Sequence, residues 1–78
     1  MITVTDAAKY STNGEVAYQI TYSDNTKVRA VESTDGTIRK EYLDGSTWTL
    51  VGKPYTVKRD KKRIAEKIKD ICVELLSK

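Results

Sequence analysis

Short stretches of alternating apolar and polar residues fill the first 57 positions, and the period changes only once after that. The alternating part is rich in Val, Ile, Tyr and Thr and is punctuated at Asn13-Gly14, Asp24-Asn25, Asp35-Gly36 and Asp44-Gly45. Such punctuation predicts a hairpin meander, because Asn-Gly and Asp-Gly tolerate the positive φ that tight turns demand. Strands are expected near 2–10, 16–22, 27–33, 38–43 and 47–57. Pro54 has no amide donor, so the last strand is an edge strand or is bent at Gly52 to Pro54. From Asp60 onward the spacing is helical: Ile64, Ile68, Ile71 and Leu75, flanked by Ala65, Cys72 and Leu76, form one apolar stripe. Asp60 is the expected N-cap of a helix over 60–77. The predicted class is α+β, an antiparallel β-meander of about five strands with one C-terminal amphipathic α-helix packed on one sheet face. The whole chain, 1–78, reads as a single domain.

Register decides which residues share a face, since side chains alternate along a strand. A three-residue loop at Ser23 to Asn25, with Asn25 left-handed, places Ile20 opposite Val28 and Tyr18 opposite Ala30. Two-residue loops at Asp35-Gly36 and Asp44-Gly45 then gather Tyr18, Ile20, Val28, Leu43, Trp48 and Leu50 under the helical stripe. They leave Glu41 beside Trp48, a discord. The opposite face is expected to carry Lys27, Arg29, Val31, Ile38, Lys40, Tyr42, Thr49 and Val51, with no acidic side chain on the last three strands. Glu32 and Arg39 are expected to pair across the Asp35-Gly36 hairpin. The string Tyr22-Ser23-Asp24-Asn25-Thr26 is echoed by Tyr42-Leu43-Asp44-Gly45-Ser46, which reads as two similar turns rather than a repeat.

Charge adds an asymmetry to this picture. The formal net charge is +3, but residues 1–52 hold five Lys/Arg against seven Asp/Glu, and residues 53–78 hold nine against four. A basic last third, densest at Lys58-Arg59-Asp60-Lys61-Lys62-Arg63, points to an acidic protein surface or a polyanion as partner. Cations at a helix start oppose the macrodipole, at about 0.3–1 kcal/mol, which hints at a functional reason for them.

Candidate chemistry is sparse. There is no histidine, the one cysteine lies on the helical stripe, and the four glycines are isolated, so hydrolase pairs, zinc sites and phosphate loops are not predicted. Asp24, Asp35 and Asp44 are explained by their turns. Cys72 reads as a small buried apolar residue, and Trp48, Tyr18 and Tyr22 as core. The expectation is a non-enzyme without cofactor or metal. The first ten residues have no basic-then-apolar leader pattern, and no run is long enough to cross a membrane, so a soluble cytoplasmic protein without a membrane partner is expected.

Two binding functions follow from these features. A chain of this size without catalytic motifs resembles the small accessory proteins of phages and mobile elements, including anti-CRISPR and other anti-defence inhibitors. That resemblance implies an inhibitor or adaptor that occludes a protein partner. A meander followed by a helix is also similar in topology to the arm-type DNA-binding domains of tyrosine integrases, which implies nucleic-acid binding through the sheet, although those domains have three strands. The candidate partner-binding residues for either function are Lys27, Arg29, Lys40, Tyr42, Tyr55, Lys58, Arg59, Lys61, Lys62 and Arg63. A homodimer through strand edges is a third expectation.

Overall fold

Each turn string sets the reach of one hairpin, and four hairpins in succession make a single open sheet. A computed structural model describes all residues, Met1–Lys78. The strands β1 (Val4–Thr12), β2 (Glu15–Tyr22), β3 (Lys27–Glu32), β4 (Thr37–Asp44) and β5 (Thr47–Thr56) are antiparallel and pair only with their neighbours in sequence. One helix, α1 (Ile64–Leu76), lies over β1 to β4 and touches β5 only at its far end, through Tyr55. The expected α+β meander is therefore the architecture of the protein.

The turns show which registers hold. Asn13 and Gly14 both have positive φ, 51° and 78°, and join β1 to β2 by a type I′ turn. Between β2 and β3 the loop is Ser23–Asn25, with Asn25 at φ 70° and the Tyr22 N–H donating to the Thr26 carbonyl at 2.9 Å. Tyr18 accordingly faces Ala30 and Ile20 faces Val28, as expected.

The next hairpin departs from expectation by one residue. Its loop is Thr34–Gly36, closed by the Ser33 N–H donating to the Thr37 carbonyl at 2.9 Å, with Gly36 at φ 87°. Asp35 Oδ1 accepts from both the amide and the hydroxyl of Thr37, as Asp24 does from Thr26. Val31 is thereby opposite Arg39 and Glu32 opposite Ile38, so the expected Glu32–Arg39 pair does not form. A shift of one turns β4 and β5 over. Ile38, Lys40, Tyr42, Thr49 and Val51 fall on the helix side, while Leu43, Trp48, Leu50 and Glu41 join Lys27, Arg29 and Val31 on the open side. The two-residue turn before β5 is Gly45-Ser46, one step later than expected, and Gly45 alone has positive φ.

Both edges of the sheet carry an irregularity. Thr5 is an extra residue in β1, between the pairs Val4–Tyr22 and Asp6–Thr21. In β5, Gly52, Lys53 and Pro54 bulge opposite Arg39, between the pairs Lys40–Val51 and Ile38–Tyr55. Pro54 thus sits on an edge strand that is also bent.

The helix begins later than Asp60 because the basic run folds on itself first. Lys58 and Lys61 bridge across a tight turn, which removes Asp60 from the helix start. Arg63 is the N-cap, and Glu66 Oε2 accepts its backbone N–H at 2.8 Å, one half of a capping box. The buried stripe is also rotated from the expected one. Ala65, Ile68 and Cys72 are buried, whereas Ile64 and Ile71 are 58% and 37% exposed. The core comprises these three with Tyr18, Ile20, Ala30 and Ile38, bordered by Val4, Ala7, Val16, Tyr22, Val28 and Tyr55. Cys72 donates its thiol hydrogen to the Ala8 carbonyl at 3.4 Å, and burial pushes its pKa up. Lys69 reaches from the helix to Glu32, whose partner is therefore not Arg39. The helix is not long and apolar enough to cross a membrane.

Candidate binding cleft at the helix start

Strand alternation brings Arg29 of β3 and Arg39 of β4 onto the open face with Glu15 and Glu41, and there the four neutralise one another. The Arg29 guanidinium lies 4.2 Å over the Trp48 ring and 6.0 Å from that of Tyr10. Its Nε donates to Glu41 Oε1 at 2.7 Å and its Nη1 to the Tyr10 hydroxyl at 3.0 Å, which in turn donates to Gln19. Arg39 grips both oxygens of Glu15, at 2.8 and 2.9 Å, and donates through Nε to the second oxygen of Glu41 at 3.2 Å. With the Ser33 hydroxyl, Arg39 holds the Glu15 carboxyl down to about 2, and Glu15 pushes the Arg39 guanidinium up in return. Beneath these side chains the cross-strand pair Ala17 and Val31 has no exposure at all, and Arg29 itself retains 9%. The face expected to offer free cations is a closed lid of two arginines and two glutamates with no net charge.

Free cations gather elsewhere, where the bulge of β5 meets the start of α1. The Tyr55 ring stands between two clefts with the Arg63 guanidinium 4.0 Å above it. Its hydroxyl donates to Glu66 Oε2 at 3.1 Å, the same oxygen that caps the Arg63 amide, so one buried carboxylate fixes both sides of this wall. Burial and that hydrogen bond push the Tyr55 pKa up. The first cleft, about 390 Å³, is lined by Lys40, Val51, Gly52, Lys53, Tyr55, Arg63, Ile64, Ala65 and Lys67. The second, about 370 Å³, is lined by Tyr55, Thr56, Lys58, Lys61 and Arg63. The ion pairs of the protein engage Arg29, Arg39, Lys62 and Lys69, and none of the six cations of the clefts. No three carboxylates or thiols converge as metal ligands, and the lining suits anions.

The expected partner-binding residues divide accordingly. Lys40, Tyr55, Lys58, Lys61 and Arg63 converge on the clefts. Arg59 is exposed in the adjacent turn, and Lys62 is tied to Asp70 at 2.5 Å. Arg29 is spent in the lid, Lys27 is half-buried on the same open face, and Tyr42 is exposed on the helix side of β4. Sequence reasoning missed Lys53 and Lys67. Lys67 follows Arg63 by one helical turn, and that basic i,i+4 pair was the available signal. Lys53 is carried into the cleft by the Gly52–Pro54 bulge. No protein family, curated protein or solved structure matches the chain.

Proposed function

We propose that this chain is a small binding protein, not an enzyme, that docks an acidic surface of a protein partner in the clefts at the helix start and acts by occluding that surface, as an inhibitor or adaptor does. The observation that carries this reading is the concentration of six unpaired cations at one corner, while the arginines of the open face are neutralised internally. Exposed apolar groups border the same corner, with Val51 and Ile64 in the lining and Val57 beside it. A mixed apolar and cationic rim matches an acidic protein surface better than a bare phosphate backbone. Nucleic acid is the weaker reading, because the ring beside the clefts and the ring of the open face each carry a guanidinium, Arg63 on Tyr55 and Arg29 on Trp48, and the exposed Tyr42 lines neither cleft.

Titration with a glutamate-rich peptide and with DNA duplexes and single strands of equal charge, at two salt concentrations, tests this. The peptide binds, and the Lys53→Glu, Lys67→Glu double variant binds it at least about tenfold more weakly while folding normally. DNA bound more tightly than the peptide, with a steep counterion-release slope between about 50 and 200 mM salt, transfers the function to nucleic acid.

A further inference from the structure

The two edges of the sheet are prepared very differently. On β1 the bulge at Thr5 breaks the ladder, Asp6 and Lys9 put charges on the strand, and Asp6 Oδ1 accepts the Ala7 N–H at 2.9 Å. The end of the helix, at Leu75 and Leu76, also lies beside Val4 to Ala7. These are the devices by which an edge is kept from pairing with another chain.

On β5 they are missing over five residues. Thr47, Trp48, Thr49, Leu50 and Val51 include no charge, no proline and no bulge, four of the five are β-branched or aromatic, and the helix does not cover them. Leu50 and Val51 are 45% and 40% exposed. The pair Asp44–Thr47 closes the two-residue turn and is bonded to itself, so alternation gives the N–H and C=O groups of Thr49 and Val51 to β4. Those of Trp48 and Leu50 project from the free edge. This open ladder ends where the cationic cleft begins, since Val51 belongs to both and Gly52 and Lys53 follow it in the cleft lining.

We propose that the edge of β5 from Thr47 to Val51 takes up an extended strand of the acidic partner, by β-augmentation, with carboxylates of that strand reaching the cleft at Lys40 and Lys53. The proposal rests on the reading of the clefts given above and names the form in which the partner arrives. Main-chain bonds to Trp48 and Leu50 supply affinity, and alternate side chains supply specificity. Partner side chains on the helix side of the sheet run toward Lys53, and those on the open side lie beside Trp48 and Leu50. An acidic–apolar alternation suits both sides at once. A second copy of this chain is the poorer occupant, because β5 has no carboxylate to set against Lys53.

The test uses the full chain and a synthetic peptide alternating valine and glutamate, beside the same peptide N-methylated at every second residue. Binding slows hydrogen exchange at the Trp48 and Leu50 amides at least about tenfold, and N-methylation lowers affinity by a similar factor with its charge unchanged. Equal binding of both peptides without protection of those amides overturns the edge proposal and leaves the cleft reading standing. Failure of both peptides to bind at low salt overturns both readings. A dimer in light scattering whose Trp48 and Leu50 amides are protected without peptide assigns the edge to a second copy and overturns the proposal.

Discussion

A pair of arginines and a group of six cations share this small domain, and only the larger group is available. Arg29 and Arg39 on the open face lie among Glu15, Glu41, Trp48 and Tyr10, every guanidinium edge is occupied, and an apolar pair is sealed beneath. Lys40, Lys53, Lys58, Lys61, Arg63 and Lys67 surround the helix start with no carboxylate partner in their side-chain contacts. The first group stabilises the sheet and the second raises the local potential over two clefts. Pairing, not the count of cations, separates a surface neutralised within the fold from one left open to a partner.

The contrast breaks most visibly at Arg29. Arg29→Ala leaves Glu41 with one arginine instead of two, uncovers Trp48 and opens the lid over Ala17 and Val31. Loss of about 2–3 kcal/mol in urea denaturation is expected, a large fraction of the roughly 3–5 kcal/mol that a core of this size supplies. A loss below about 0.5 kcal/mol, typical of ordinary surface positions, makes the lid an ordinary solvated face.

Acid sharpens the same comparison. The Glu15 carboxyl is held at about 2 in the folded protein against an ordinary 4.5, so its contribution is complete above 4.5 and is lost as pH falls toward 2. Asp24 and Asp35, lowered by their threonine hydrogen bonds, add to the same limb with the same sign. Urea midpoints measured from pH 5 down to 2 should fall, and Glu15→Gln should flatten that fall while lowering the midpoint at neutral pH. An unchanged slope in the variant separates Glu15 from the acid transition. The smallest effect belongs to the other cation group. Lys53→Ala with Lys67→Ala shifts stability by less than about 0.5 kcal/mol in the same denaturation assay, because neither side chain has a partner to lose.

Much of this was legible in the residues. Turn strings and β-branched runs locate the five strands, and Asn25, tolerant of the left-handed region, reveals the three-residue loop that sets Tyr18 against Ala30. The same signal occurs once more. Ser23-Asp24-Asn25-Thr26 and Thr34-Asp35-Gly36-Thr37 share one pattern, a hydroxyl residue, Asp, a left-handed residue and Thr, and they form the same loop. The echo at Leu43-Asp44-Gly45-Ser46 differs in its first and last residues and makes a two-residue turn instead. Reading the Asp35-Gly36 loop one residue short turned β4 and β5 over, placed Trp48 under the helix and emptied the open face of acid. With the right register, Glu41 falls between Arg29 and Arg39, and its discord with Trp48 resolves through the arginine stacked on that ring. The helix start was less legible. Asp60 has the chemistry of a cap, but Lys58 to Lys61 close their own turn and Glu66 supplies the cap from inside the helix. The cleft itself depends on how a bulge and a helix end meet in space, and no local pattern encodes that meeting.

The buried thiol of Cys72 has a use unrelated to binding. It is the only cysteine, it lies between the helix and the first two strands, and its raised pKa and complete burial keep it from thiol reagents while the helix is seated. A disulfide reagent therefore labels only molecules in which the helix has lifted from the sheet. The rate of labelling in plain buffer counts those openings and gives their free energy without denaturant, from a clock that the sequence already contains.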